Sequence, residues 1–503
     1  MSICLIIPPS PFLLDERVFM SLGILKVAAV LEQSGATVHV LDLSGIGNFT
    51  AAIQDYCLKF DTLKFGITAT TPQLPATIKI LEAIKLIRPE ARVILGGPHI
   101  TLVNTAYKGE RKRNINGRGT AAFTKLADNF DVLVAGDGEK AIFEALKENA
   151  TKLIDADIPN PPESANGIIE PVLFLNNRQL NELPFPARHL VDVQSYHYHI
   201  DGTRALSMIA QLGCPFECGF CGGRSSPFLR KVRTRTSENV VAEMVHIYNT
   251  YGIRGFMLYD DELNVNKNMV ELMNMITATQ IKLGVEFRLR GFIKAELFTE
   301  EQAAAMYRAG FRWILTGFES GSPRMLININ KKAYREDNTR CLEIARKHGL
   351  KVKALMSIGH PGESRATVLE TRNWLLDVHP NDFDVTIITT YPGTPYYDAA
   401  VPHPGKPGIW IYTYEKTGDK LYSIDLDYTE VADYYKGSPD GGYRAFVYTD
   451  YLASEELVEL RDSVEADVRK KLNIPFNPGA PALRYEHSMG QQGLPPNILR
   501  TSS

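Results

Sequence analysis

Two stretches of this 503-residue chain repeat one pattern, a short strand-like run followed by a helical run. That pattern confines the fold more than any other feature. Over residues 1–150, strand-like runs at 3–8, 37–43, 63–68, 91–95 and 131–134 alternate with helical periodicity at 22–33, 49–59, 76–87 and 139–147. Strands separated by helices lie parallel with helices on both faces, so a doubly wound α/β domain is expected. The alternation resumes with strands at 205–211, 255–259, 286–289, 313–317, 351–357 and 383–388, and with helices at 238–249, 267–279, 300–308, 335–348 and 366–378. These units suggest a partial (β/α)6 barrel, whose chemistry sits on loops at the strands' carboxyl ends. The length implies two or three domains. We divide the chain into an α/β domain at 1–150, a proline-rich linker at 151–203, the barrel at 204–398 and a mixed C-terminal extension at 399–503.

The second region opens on a concentration of sulfur. Cys214, Cys218 and Cys221 are three of six cysteines. They stand in a C-x3-C-x2-C spacing among Gly213, Gly219, Gly222 and Gly223, which let backbone wrap closely around a bulky group. Cysteine is too scarce here for a disulfide framework. Clustered thiolates suit zinc or an iron–sulfur centre. Structural zinc normally takes four protein ligands, and no fourth cysteine lies nearby. Three thiolates on a four-iron cubane leave one iron open to a small molecule. The alternatives are reduced thiols in a turn and a three-ligand zinc site. Cys4, Cys57 and Cys341 sit in apolar or helical patterns and read as core residues.

This spacing, with Phe220 directly before the third cysteine, resembles the signature of the radical S-adenosylmethionine (SAM) superfamily. The resemblance implies a 4Fe-4S cluster on the three cysteines, SAM chelated to the open iron, and SAM cleavage to a 5′-deoxyadenosyl radical. It also places SAM where the informative strand-end residues fall. SAM's amino group and ribose hydroxyls need acceptors, and its carboxylate needs a cation or donor. Glu319 and Ser320 are expected near its methionyl or ribose part, with Phe220, Asp261 and Arg290 as further cofactor contacts. The other reading of Asp260, Asp261 and Glu262 is an acidic cluster favoured by a helix N-terminus. The turn from Tyr391 to Pro395 looks like the Y-P-G-T-P turn of the same family and is expected to be structural.

In the first region, loops follow the strands at Pro8, Thr68, Gly96 and Gly136, where ligands of such sheets bind. Alone they read as tight strand-to-helix turns. With the cysteine motif downstream, residues 21–25, 96–99 and 135–139 resemble the cobalamin-binding domain of cobalamin-dependent radical SAM enzymes. That resemblance implies bound cobalamin, with Gly96, Gly97 and Gly136 along its nucleotide tail and Thr68 and Thr70 nearby. Residues 8–17 hold no histidine, so no imidazole ligand to cobalt is expected from that loop. His99 follows the fourth strand and is given a loop role. The basic run 108–118 is expected to be a solvated loop.

The resemblance extends over residues 1–400 to the class B methyltransferase and anaerobic Mg-protoporphyrin ester cyclase-like branch. It implies a methyltransferase in which one SAM methylates cobalamin and a second yields the radical that abstracts hydrogen from an unactivated carbon. A cobalamin-dependent cyclase or rearrangement enzyme shares every motif quoted. A non-catalytic iron–sulfur or zinc module is the reading from another class. The resemblance further implies a small-molecule or peptide substrate and an electron donor such as flavodoxin or ferredoxin.

A net charge of −3 gives no field that argues for nucleic acid or membrane. No apolar run is long enough to span a bilayer. The first residues lack a basic n-region and read as a strand, not a signal peptide, so a cytoplasmic protein is expected. Tyr196, His197, Tyr198 and His199 read either as site lining or as a surface strand. The extension holds many tyrosines, a helix at 454–472 with Ser454 as its N-cap, and an irregular end at 477–503. It either closes over the barrel mouth or packs on the barrel side.

Overall fold

The computed structural model describes residues 2–11, 13, 16–160, 172–223, 225–432 and 443–475. The irregular end expected at 477–503, Tyr434, Tyr435 and residues 161–171 of the linker lie outside them.

The first domain runs β1 (Ser2–Ile7), α1 (Leu22–Gln33), β2 (Thr37–Asp42), α2 (Phe49–Lys59), β3 (Lys64–Thr68), α3 (Leu74–Ile87), β4 (Arg92–Gly96), α4 (Pro98–Lys112), α5 (Arg118–Asn129), β5 (Val132–Gly136), α6 (Gly138–Ala145) and β6 (Leu153–Ala156). The strands form one parallel sheet in the order β2-β1-β3-β4-β5-β6. The expected doubly wound fold is therefore present, with a sixth strand inside the stretch read as linker. β1 is apolar on both faces and buried from Ile3 to Ile7, as a central parallel strand must be. The order reverses between β1 and β3, which opens a crevice at their carboxyl ends.

The basic run is not a solvated loop. Lys108 to Lys112 are the last turn of α4, and Arg118 opens α5. The Glu110 carboxylate accepts hydrogen bonds from the backbone N–H groups of Gly117, Gly119 and Thr120 at 2.9, 2.9 and 2.7 Å. It thereby satisfies donors that the start of α5 leaves free.

After α7 (Asn177–Glu182) the chain enters the second domain. Its elements are β7 (His199–Ile200), β8 (Thr203–Met208), β9 (Gln211–Leu212), α8 (Pro227–Arg230), β10 (Arg233–Thr234), α9 (Ser237–Tyr251), β11 (Gly255–Leu258), α10 (Met269–Leu283), β12 (Arg288–Phe292), α11 (Glu300–Ala309), β13 (Phe311–Glu319), α12 (Pro323–Asn328), α13 (Arg335–Lys347), β14 (Lys351–Ile358), α14 (Arg365–Val378) and β15 (Asp382–Ile387). The sheet order is β15-β14-β13-β12-β11-β8-β7, parallel except for the antiparallel edge strand β7. This is the expected open partial barrel. Local signals delimit its helices. Thr299 caps α11 by accepting from Gln302 N, and Gly310 ends it at φ +103°. A Cβ on Gly310 would lie 2.4 Å from the Phe287 carbonyl oxygen.

Tyr198 and Ile200 face the barrel interior with Ala205, Met257 and Leu315. Val18 and Phe19, from the segment after β1, join that cluster. Tyr196 and Tyr198 are thus core residues, and His199 stands on the edge strand. A short segment of the first domain thus packs into this interior cluster of the barrel.

The extension adds α15 (Pro395–Asp398), then β16 (Val401–Pro402), β17 (Ile409–Thr413), β18 (Lys420–Ile424) and β19 (Val447–Tyr448) as an antiparallel sheet, and α16 (Ser454–Leu472). Ala453, not Ser454, precedes α16, and the Ser454 hydroxyl donates to the Val447 carbonyl. The part packed on the barrel side is a helix, not a strand pair. Helix α16 lies outside the barrel against β15, where Arg461 donates to the Val385 carbonyl. The small sheet lies at the barrel's carboxyl end, where Asp419 accepts from Asn328 and Thr449 donates to the Glu363 carbonyl.

Candidate active site

The cysteine loop leaves the barrel between β9 and α8 and is fixed from four sides. Gly213, at φ +85°, donates its N–H to Asp261 Oδ2 at 2.8 Å, and a Cβ there would lie 2.3 Å from the Lys231 carbonyl oxygen. The Gly219 N–H donates to the Ile329 carbonyl at 2.7 Å, and its own carbonyl accepts from Tyr396 N at 3.2 Å. The Gly223 N–H donates to the Gly393 carbonyl at 3.0 Å. A Cβ on Gly222 would meet Leu102 of α4 at 2.8 Å. Phe220 packs its ring edge-on to His360, with centroids 5.4 Å apart.

None of the three cysteines is disulfide-bonded. Burial pushes the Cys214 thiol up to about 11, and Glu262, Asp261 and Cys218 add to the effect. Burial also raises Cys218. Cys221 is exposed as a residue, yet desolvation of its sulfur and the two neighbouring thiols raise it as well. Three adjacent sulfurs that resist ionisation alone become thiolates when a positively charged metal centre joins them. A cubane takes one thiolate per iron, so its ligands need not converge on a point. Among the described residues no three His, Cys, Asp or Glu side chains form a group that could hold a metal ion directly. The donor set and the glycine-lined wrap fit a cluster.

The acidic triplet after β11 ends at the N-cap of a short 3-10 helix, Leu263–Val265, where Glu262 makes no side-chain cap bond, and its three carboxylates have different surroundings. Asp260 accepts from Ala210 N at 2.8 Å and from Gln211 N, and Asp261 holds Gly213. Both carboxylates tie the approach to the cysteine loop. Glu262 is buried, which pushes its carboxyl up to about 7, while Lys331 and Lys294 oppose the shift. Glu319 sits at φ +66°, a left-handed conformation that is rare without glycine. Its Oε1 lies 3.3 Å from Lys331 Nζ and its Oε2 accepts from Ser357 Oγ at 2.8 Å. Ser357 Oγ is also 2.8 Å from His360 Nε2, and His360 Nδ1 is 3.3 Å from the Tyr396 hydroxyl. Burial lowers His360 to about 3, so its imidazole is neutral. Burial works against the Lys331 ammonium, yet Glu319, Cys218 and Glu262 raise its pKa above the usual lysine range.

Two of the sequence-predicted contacts stand elsewhere. Arg290 lies inside β12, in register with Met257 and Trp313. It is buried in the barrel interior with its guanidinium 5.3 Å from the Trp313 ring centroid. Strand β12 continues to Phe292, so the cations near the mouth are Lys294 and Lys331. Lys294 pairs with Glu296 at 2.6 Å and lies 4.2 Å from the Phe216 ring. Ser320 turns to the helix layer, where its hydroxyl is 2.9 Å from Thr371 Oγ1 and accepts from Ser322 N.

The first domain carries a cleft of about 310 Å³ at the carboxyl ends of its central strands. Thr68, Thr70, Gly96, Gly97 and Gly136, the residues expected beside the cofactor, all line it. Gly97 has φ +97°, and a Cβ there would lie 2.6 Å from Thr68 Oγ1. Gly136 has φ +89°, and a Cβ there would lie 2.5 Å from the Ala156 carbonyl carbon. Thr101 Oγ1 donates to the Gly97 carbonyl and accepts from Gly136 N, both at 3.0 Å, and so ties the two turns together. Apolar walls come from α1, α6 and the sheet, and Ile209, Leu212 and Phe228 of the barrel domain close the cleft. An apolar slot with a threonine and glycine rim fits the tail of a large planar cofactor. Lys26 and Glu139 also line it, 4.0 Å apart. Burial lowers the Lys26 pKa, with Glu139 opposing. No motif marked Lys26. His99 faces away from this cleft. Its Nδ1 is 3.1 Å from Thr71 Oγ1, burial lowers it to about 3, and it lines a separate cavity beside Arg118 and Tyr428.

Carboxylates just after β5 and β6 join the two sites. Asp137 forms a buried ion pair with Arg233 at 2.5 Å and accepts from Leu175 N at 2.8 Å. Asp157 accepts from Ser226 Oγ and Phe228 N, both at 2.7 Å. The chain leaving the cysteine loop is thus held by the turns that line the cleft.

Known proteins resemble both domains of this chain. The family model described as the radical SAM superfamily matches residues 208–375, and the B12 binding domain matches residues 16–127. An uncharacterized methyltransferase of Pyrococcus horikoshii is 26% identical over 408 residues, covering 80% of this chain and 83% of that protein. The anaerobic magnesium-protoporphyrin IX monomethyl ester cyclase of Cereibacter sphaeroides is 25% identical over 377 residues. That match covers 70% of this chain but only 56% of the cyclase. Among solved structures, the radical SAM methyltransferase TsrM from Kitasatospora setae, with tryptophan and a SAM analogue bound, superposes with a TM-score of 0.63 at 19% identity. The superposition covers 95% of this chain and 92% of that one. It is a likeness of fold.

Proposed function

We propose that this chain, which belongs to the cobalamin-dependent radical SAM enzymes, is a methyltransferase acting on an unactivated carbon of a small-molecule or peptide substrate. One observation carries the reading. The three-cysteine loop and the glycine-lined cleft are fastened to each other by Leu102, Asp137 and Asp157. The turn after β5 that lines the cleft, and the residues just after β6, therefore hold the segment that follows the cysteines, which would keep the two cofactor sites next to each other.

When bound, the cluster and SAM supply reductive cleavage of a sulfonium, and cobalamin supplies a transferable methyl group. Cys214, Cys218 and Cys221 hold the cluster. Glu319 and Glu262 offer acceptors to SAM's amino group, and Lys294 and Lys331 offer cations to its carboxylate. The neutral chain from Ser357 through His360 to Tyr396 holds the Glu319 carboxylate in place. Gly96, Gly97 and Gly136 let backbone approach the cobalamin tail, with Thr68 and Thr70 supplying hydroxyls. The cluster's electron comes from a donor of the flavodoxin or ferredoxin kind. Among the described residues no helix is long and apolar enough to cross a membrane.

Methylated and cyclised products differ by mass, which matters because a relative is a cyclase. The test is product analysis after anaerobic turnover with SAM, cobalamin and candidate substrates. A gain of one methyl group, with 5′-deoxyadenosine released, supports the proposal. Loss of hydrogens from the substrate without a methyl gain replaces it with the cyclase reading.

A further inference from the structure

The cysteine loop has a side that neither the cleft nor the barrel mouth uses. Cys218 packs on Met325 and Ile329, at the inner side and exit of α12. The outer side of that segment forms a groove of about 300 Å³, bounded by α12, the turn after it, the start of α13, and Tyr414 and Lys416. Asn330 lines the groove and donates through Nδ2 to the Glu217 carbonyl at 2.8 Å. That carbonyl belongs to the peptide leading into Cys218. One short helix and one hydrogen bond separate the groove from a cluster ligand. Leu102 packs against the loop at Gly222 and Tyr396 at Gly219, on sides other than the groove.

The groove has the composition of a contact surface. Ile327 is 53% exposed and Tyr334 is 73% exposed, and both stand on its lining. Lys332, Arg335 and Lys416 line it with Glu336. Of the carboxylates nearby, Glu217 is paired with Lys332 at 2.8 Å and Glu336 with Arg335 at 3.9 Å. An apolar floor with an exposed tyrosine beside an arginine is typical of interface centres, where carboxylates are depleted.

We propose that this groove docks a small acidic one-electron carrier protein that reduces the cluster. The assignment rests on the reading of Cys214, Cys218 and Cys221 as cluster ligands. The carrier is oxidised by one electron and the cluster is reduced by one, with no bond made or broken. The basic rim steers an acidic partner and sets its orientation, and such steering weakens with salt.

The experiment uses the full chain loaded with cluster and cobalamin. The R335E/K416E variant is compared with the parent, with cluster reduction followed by loss of its visible absorbance. Reduced flavodoxin serves as the protein donor and dithionite as the small one. With flavodoxin at low ionic strength the variant is expected to reduce at least about tenfold more slowly and to lose most of its salt dependence. With dithionite the two proteins should agree within about twofold. Equal flavodoxin rates overturn the docking site, as does an equal loss with both donors. A parent-chain dimer that the variant breaks would assign the groove to self-association instead. If the parent itself binds no cluster, the reading of the cysteines fails, and that outcome is separate from a failure of docking.

Discussion

A methyl group added at Gly136 would stand 2.5 Å from the Ala156 carbonyl carbon and 2.6 Å from Asp157 N, on backbone at φ +89°. Neither neighbour is a flexible side chain, so Gly136→Ala must displace the turn that lines the cleft. The strain is on the order of 1–3 kcal/mol. Cobalamin retention after desalting, read from its absorbance, should fall at least about tenfold in affinity while the iron content stays at the parent level. Parent-like cobalamin binding would show that this turn does not touch the cofactor.

His99 gives a pH signature. Its folded pKa is lowered to about 3 by burial, so below the ordinary histidine value the unfolded chain takes up a proton that the folded chain refuses. Stability from this residue is complete above about pH 6.5 and is lost as pH falls, by at most about 1.4 kcal/mol per pH unit. Arg118 and Lys125 share its cavity with Asp425 and Asp427. His99→Asn, which keeps a polar atom for Thr71, should flatten the urea midpoint between pH 7 and 5. An unchanged slope would assign that pH dependence to other groups.

At this scale the sequence was legible where residues cluster and silent where only folding brings them together. The cysteines and the cleft glycines lie in local motifs. Lys294 and Lys331 belong to none, and they reach Glu262 and Cys218 only through tertiary packing. Arg290 was misplaced because β12 runs to Phe292, beyond the strand end read from the pattern. Ser320 was misplaced because the register shifts between Gly317 and Glu319, and Ser320 beyond it bonds to Thr371.

Among the elements, the alternating strands and their helices were visible in hydrophobic period, and the sheet orders follow from parallel connections. Helices α4 and α5 were hidden. Their sequence carries Thr101, Thr105 and Gly109, which lower intrinsic helix propensity, and its lysines and arginines look solvated. Burial of Ile100, Val103 and Ala106 and the cap supplied by Glu110 outweigh that signal. The turn after β5 was expected along a cofactor tail and lines the cleft, but its role as a fastening was not read. Asp137→Asn leaves the Arg233 guanidinium buried without its carboxylate, which costs about 3–5 kcal/mol. Urea denaturation should show this loss. The variant should also transfer methyl groups more slowly than its retained cluster and cobalamin would allow. A midpoint unchanged from the parent would mean that the pair contributes nothing to the junction.

Across the whole molecule, a sheet that offers a cofactor cleft and a barrel that offers a thiol loop share one junction, and the extension bridges them. Arg118 of the first domain lies 3.6 Å from the Tyr397 ring centroid and 4.3 Å from that of Trp410. The Tyr428 hydroxyl donates to the Thr390 carbonyl. The order of the domains and their cofactors was legible from motifs. The bridging was not, because its contacts join residues far apart in the chain. The account stands on two metal centres held side by side, and elemental analysis counts both at once. After anaerobic reconstitution with iron, sulfide and cobalamin, then desalting, each chain should carry about four irons and about one cobalt. Zinc in place of iron, or iron without cobalt, would contradict it.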